Sequence, residues 1–152
     1  MGTNLRDAIT MRDDEVTAFL AEERTAVMCT MHPRGSIHAV AMWYGFIGSE
    51  LAMETKATSQ KARNLARDCR MTVLIEAGET YEQLRGVELV GSAEITEDQD
   101  QLWQLGVSMY ERYFGPYTEQ ERPAVKAMLH NRVAIKLKTE RIASWDHRKL
   151  PA

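Results

Sequence analysis

The segment Ile37–Ile47 constrains the fold more than any other part of the chain. It reads as one long strand with apolar side chains on both faces. Ile37, Ala39, Ala41 and Trp43 point one way; Val40, Met42, Tyr44 and Phe46 point the other. A sheet lying on a surface shows one polar face, so this strand needs cover on both sides. A barrel core covers one side. A helix of the same chain, a partner chain or a flat ligand covers the other. Gly48-Ser49 then turns the chain into a second strand, Leu51–Thr55, at hairpin spacing.

The remaining elements follow from local patterns. Asp13 or Asp14 caps a helix running to Glu23, with Val16, Phe19 and Leu20 on one face. Thr25–Met31 is rich in strand formers, and Pro33-Arg34-Gly35-Ser36 is a turn. Ser59 caps a helix to Asp68, and Met71–Ala77 is a strand. Val87, Leu89, Ala93 and Ile95 alternate with polar residues in another. A longer helix begins at Glu97 or Asp98 and carries Leu102, Leu105, Met109 and Tyr113, with Trp103 and Tyr110 read as part of the same core stripe. Gly115-Pro116 ends it. Thr118 and Glu121 form a capping-box pattern for a short helix ending near Leu129, which Pro123 delays. Val133–Leu137 is a strand, and Ile142–Trp145 adds a last one. The sum is mainly β with inserted helices: six or seven antiparallel strands in meander order, closed or nearly closed into a barrel. Neither a βαβ rhythm nor a glycine-rich dinucleotide loop is present.

Composition narrows the classes further. A chain of 152 residues makes one domain and buries about two-thirds of its unfolded surface. That leaves little material to wrap a large cofactor alone. With 19 basic against 22 acidic residues, no global basic field holds nucleic acid. No run approaches the ~20 apolar residues of a membrane span. Met1–Arg12 shows no signal-peptide pattern, and Cys29 and Cys69 read as reduced, mostly buried thiols. A cytoplasmic protein is expected. His32, His38, His130 and His147 match no metal-ligand spacing, so no metal is expected, and no GxSxG elbow or acid pair stands out.

Within this acidic chain, Lys56–Arg70 holds five cations (Lys56, Lys61, Arg63, Arg67, Arg70) against one acid, Asp68. It spans a strand end and a helix start, where free N–H groups favour an anion. With the Ser59 hydroxyl, this makes a phosphate site; the alternative is a solvated amphipathic helix. The tail Ser144-Trp145-Asp146-His147-Arg148-Lys149 is either a frayed terminus or a strap that lends Trp145, His147 or Arg148 to a site.

Met42-Trp43-Tyr44 in its long strand, the hairpin into Leu51–Thr55, Lys61-x-Arg63-Asn64-Leu65, Val73-Leu74-Ile75 and the Trp-Asp-His-Arg-Lys ending resemble the pyridoxamine-phosphate-oxidase-like split-barrel family. Within it, they are most similar to the flavin/deazaflavin oxidoreductase B group of actinobacteria. The resemblance covers about residues 13–149. It implies a homodimer of six-stranded split β-barrels of the FMN-binding type, with a flavin-type cofactor in each of two interface grooves. It places the cofactor phosphate against Thr55, Lys56, Ser59, Lys61, Arg63 and Asn64, and the ring against Val40, Met42 and Trp43. Leu84 and Arg85 would reach the ring or its tail from the partner chain. Trp145, His147 and Arg148 would lie on the substrate side. The cofactor implied is coenzyme F420, with FMN second. The activity implied is hydride transfer from reduced F420 to a small unsaturated substrate. An FMN-dependent oxidase-like activity, or binding of a flavin, deazaflavin or tetrapyrrole without turnover, are the alternatives. No catalytic residue is singled out, because such a cofactor carries the hard chemistry.

Overall fold

The computed structural model describes residues 4–152. The reading of Met1–Arg12 therefore falls partly outside the described residues. Helix α1 spans Leu5–Ile9, which the sequence pattern did not reveal; the Asn4 side chain caps it at the Arg6 amide. Helix α2 (Asp13–Glu22) buries Val16 and Phe19. Seven strands follow: β1 (Ala26–Met31), β2 (Ile37–Met42), β3 (Gly45–Ile47), β4 (Glu50–Thr55), β5 (Arg70–Ala77), β6 (Arg85–Thr96) and β7 (Val133–Asp146). Helix α3 (Gln60–Arg67) joins β4 to β5. Helices α4 (Gln99–Tyr113) and α5 (Arg122–Leu129) join β6 to β7. No helix among the described residues is long and apolar enough to cross a membrane.

All strands pair antiparallel, in the order β2-β1-β5-β6-β7-β4-β3. This corrects the meander: β4 lies beside β7, and β5 beside β1. The two strands at opposite edges, β2 and β3, are joined by Trp43-Tyr44 alone. Two residues span only about 7 Å, so the sheet must curl until its edges nearly meet. The result is a split barrel. Its strand count is seven, where the resemblance implied six, because Ile37–Ile47 is cut in two at this seam.

The seam breaks because its backbone groups bond outside the sheet. Tyr113 on α4 accepts from the Tyr44 amide at 2.9 Å, and Ser108 accepts from the Phe46 amide at 3.0 Å. Arg112 donates to the Tyr44 carbonyl through Nε at 3.0 Å and to the Ala21 and Glu23 carbonyls through its terminal nitrogens. Its guanidinium lies 4.3 Å from the Tyr44 ring centroid. The Tyr44 hydroxyl donates toward Leu20 O (2.7 Å) and Glu23 O (3.0 Å) at the end of α2. A cation at that helix C-terminus is favoured by the helix dipole.

The seam also settles what covers the doubly apolar segment, with a different answer for each half. On the β3 half, Ile47 is buried against Leu105 and Met109 of α4. A Cβ on Gly45 would lie 2.9 Å from Met109 Cγ, so only glycine lets α4 approach this closely. On the β2 half, Val40 and Met42 pack on the barrel core, but Ile37, Ala39 and Ala41 face outward uncovered, Ile37 being 69% exposed. The chain's own helices cover half of the strand only.

The other differences are local. Ile142–Trp145 is not a separate strand: β7 runs unbroken through it, with a register shift at Val90/Gly91 on β6. Thr118 and Glu121 form the expected capping box, but around a 3-10 turn (Glu119–Glu121), and α5 starts at Arg122 with Pro123 in its first turn. Cys69 is exposed and Cys29 half-buried, so neither is the buried thiol expected. Tyr110 is only half-buried and Trp103 likewise; the core stripe of α4 is Leu102, Leu105 and Met109.

Arg112→Leu leaves three carbonyls short of a donor in and around the seam. The expected loss is about 3 kcal/mol of unfolding free energy, read from urea midpoints.

Candidate functional site

The Lys56–Arg70 segment resolves into two parts. Arg70 forms a close pair with Asp68 (2.7 Å), which holds that carboxyl down at about 2, and Arg67 donates to the Met31 carbonyl. Both are therefore used within the fold. Lys56, Lys61 and Arg63 make no ion pair among the described residues. They surround the first turn of α3, where Ser59 is the N-cap. The Ser59 hydroxyl oxygen accepts from the Ala62 amide at 3.2 Å and from the Thr55 hydroxyl at 3.1 Å. Its own proton thus stays free to donate, next to the unpaired amides of Gln60 and Lys61. A hydroxyl and two amides at the start of α3, with Lys61 beside them in the first turn, suit an anion.

Thr55 and Asn64 serve this site from behind. Thr55 is buried and orients Ser59. Asn64 is fully buried; its amide donates to the Thr30 hydroxyl at 3.0 Å, and its carbonyl oxygen accepts from Gln60 at 2.8 Å. Asn64 ties α3 to β1.

Trp43 lies on the α4 side of the seam, 48% exposed. One face of its indole stacks on Tyr113 at 4.1 Å and 8°. Val40 and Met42 pack against the barrel core and are half-buried, while Trp43 next along the chain is exposed. Between Trp43 and Lys61 stands Glu54, on β4. Burial pushes its carboxyl above 4.5, against the opposing pull of Arg132 and Lys61. Glu54 lines a cleft with Trp43, Tyr110, Phe114 and Met128. The sequence reading passed over Glu54, although one carboxylate inside Leu-Ala-Met-Glu-Thr was the available signal.

Arg85 and the tail gather elsewhere. Arg85 starts β6, opposite Asp146, whereas Thr55 lies at the other end of the sheet beside Val133. Within one protomer, Arg85, Trp145, His147 and Arg148 are therefore remote from Lys61. Of these, Arg85 and Arg148 line a second cleft of about 570 Å³ with Phe19 and Glu22; Trp145 and His147 do not. Its charges are neutralised internally: Arg85 with Glu22 at 3.3 Å, Arg148 with Asp146 at 2.8 Å, Lys149 with Glu15 at 2.6 Å. The tail is pinned, not frayed. Trp145 lies across Gly86, where any Cβ would overlap its ring, and His147 Nδ1 sits 2.7 Å from the Tyr81 carbonyl. No cluster of three metal-ligating side chains occurs among the described residues.

The profile of pyridoxamine 5'-phosphate oxidases matches residues 13–146. The chain belongs to this family. Members of the family bind flavin-type cofactors. Among solved structures, a conserved hypothetical protein, Rv2991 from Mycobacterium tuberculosis, is 46% identical, with a TM-score of 0.93 over 99% of this chain and 95% of that one. A protein described as an F420 reductase is 25% identical, with a TM-score of 0.62 over 82% of this chain and 93% of that one. The heme storage protein HutZ from Vibrio cholerae is 19% identical, with a TM-score of 0.66 over 87% and 94%, and shares the fold. A search of curated proteins finds no match.

Because Glu54 holds its proton more tightly folded than unfolded, its contribution to stability is full below the unfolded value near 4.5 and is lost as pH rises through the higher folded value. Wild type should therefore lose stability relative to Glu54→Gln as pH climbs above 4.5, in urea midpoints taken across that window.

Proposed function

We propose that this split-barrel protein is an F420-dependent reductase that works as a homodimer. The observation that carries the reading is the set of unpaired cations Lys56, Lys61 and Arg63 around the Ser59-capped end of α3. Ser59 and the adjacent amides would bind the cofactor phosphate, and Lys61, half-buried, would neutralise it. Arg63 and Lys56 would hold charge farther along the cofactor's tail. Trp43 would flank the ring on the indole face that Tyr113 leaves open. A deazaflavin held there would supply hydride for an unsaturated bond, while these residues would bind and orient it. The F420 reductase at 25% identity supports this cofactor over FMN.

The dimer rests on the bare outer face of β2. Ile37, Ala39 and Ala41 form an apolar strip that no helix covers. A second copy seated there would bring its own Arg85 and tail toward the first copy's groove, which joins the two separated halves of the site. A small soluble chain of this charge has few other reasons to expose such a strip.

Two measurements test this reading. In fluorescence titrations of F420 against FMN, F420 should bind more tightly and quench Trp43. Lys61→Ala should weaken F420 by about 1.5–3 kcal/mol, the value of a charge-assisted hydrogen bond. Unchanged affinity in that variant, or tighter binding of FMN, would sink the F420 assignment. Saturable binding with no turnover of any acceptor would leave a carrier rather than a reductase. Separately, Ile37→Lys should shift the protein from dimer to monomer in sedimentation velocity with its circular dichroism intact.

A further inference from the structure

The bare strip on β2 is one edge of a wider face. The register sets Ala39 beside Cys29, Cys29 beside Thr72, Thr72 beside Val90 and Val90 beside Arg141. The next row runs Ala41, Val27, Leu74, Glu88 and Ala143. In β1, β5 and β6 these side chains alternate with buried residues such as Met28, Val73 and Leu89, so both rows point away from the barrel core. A cleft of about 500 Å³ opens on this face, from Ile37 on β2 across Cys29 and Thr72 to Glu88 and Val90 on β6.

Two charges interrupt the apolar rows. Glu88 is half-buried and Arg141 exposed, and neither makes an ion pair or a side-chain hydrogen bond among the described residues. As diagonal neighbours on β6 and β7 their Cα atoms lie about 7–8 Å apart, within reach of a pair inside the chain, yet none forms. The Glu88 charge is felt instead at Cys29, two strands away, whose thiol burial and then that charge push up. A second copy laid on this face strips water from Glu88, and a buried carboxylate without a partner is costly. The other cations on these strands are held by acids of their own: Arg70 by Asp68, Arg85 by Glu22, Lys136 by Glu94 and Lys138 by Glu50. Arg141 alone among them has none. Glu140 also lines the cleft, but it is exposed and left out of the pairing by the register shift.

We propose that two copies pack these outer faces together about a two-fold axis, with Arg141 of each copy donating to the Glu88 carboxylate of the other. A two-fold axis makes the contact twice, and one surface supplies both donor and acceptor, as a self-complementary interface requires. The pairing rests on the homodimer proposed above and extends its footprint from β2 to β7.

Sedimentation of the full-length protein without any flavin tests it, in wild type, Glu88→Arg and Arg141→Glu. Each single reversal sets like charges together twice in its own dimer and should raise the dissociation constant about a hundredfold. Mixed in equal amounts, the two variant chains match again at both contacts. They should form a one-to-one dimer within about tenfold of the wild-type affinity. A pair inside one chain cannot be repaired by mixing, so recovery belongs to a contact between copies. Glu88→Gln, which keeps the side chain's shape, should weaken the dimer about tenfold. The pairing is overturned if the reversals or Glu88→Gln dimerise with wild-type affinity. It is overturned equally if the mixture stays monomeric while both variants keep the wild-type circular dichroism. A wild type that sediments as a monomer overturns the homodimer and the pairing together. A dimer that Ile37→Lys breaks and the charge reversals leave intact overturns the pairing alone. Cofactor affinity enters none of these outcomes, so the F420 assignment fails or stands separately.

Discussion

Arg112 holds the barrel at the seam between β2 and β3, where strand pairing gives way to bonds from α4. Its guanidinium bonds carbonyls from the end of α2 and from the seam, and lies over the Tyr44 ring. Tyr113, its neighbour on α4, accepts from the Tyr44 amide and donates back toward Arg24 O. Two adjacent side chains thus stand in for the hydrogen bonds that a continuous strand would have made. A single cation reaching several carbonyls at a helix C-terminus suits this task, because the fork of a guanidinium spans them without a counter-carboxylate. Everything positioned by α4, including the aromatic walls near Trp43, depends on that anchorage.

The strands, their hairpins and helix α3 were legible because their signals are local. Gly48 takes the positive φ of a two-residue loop, and Ser59 caps α3 as its sequence position suggests. The seam was not legible, since Trp43 and Tyr44 continue the apolar pattern without a glycine or proline. What breaks the strand there is Ser108, Arg112 and Tyr113, from a helix some seventy residues downstream. The alternation of Ile37–Ile47 correctly demanded cover on both faces. It could not say that α4 covers one half and nothing covers the other.

The site shows the same division. The cation excess at Lys56–Arg70 was visible, and its split into used and free members followed from contacts with Asp68, which is adjacent, and Met31, which is not. Asn64 belonged to a motif, yet its burial turns it into an internal strut. The resemblance brought Arg85 to the site from a partner chain, and within one protomer the register of β6 on β7 sets Arg85 and the tail at the far end of the sheet from Thr55. Glu54 escaped notice because its neighbours in space, Tyr110, Phe114 and Arg132, come from segments whose packing no local pattern encodes.

The sheet order also dictates when the protein can become whole. On the edge away from β3, residues 52–55 of β4 pair with residues 133–136 of β7, so an early strand waits for almost the last one. On a ribosome, β3 and β4 are synthesised long before their partner emerges, and their free edge stays open throughout. The final pairing closes a long loop, so its entropy is met only at the end and folding is slow for a chain of this size. The two-residue seam then leaves no slack: once β7 docks on β4, the opposite edge at β2 is drawn into place by the covalent chain itself.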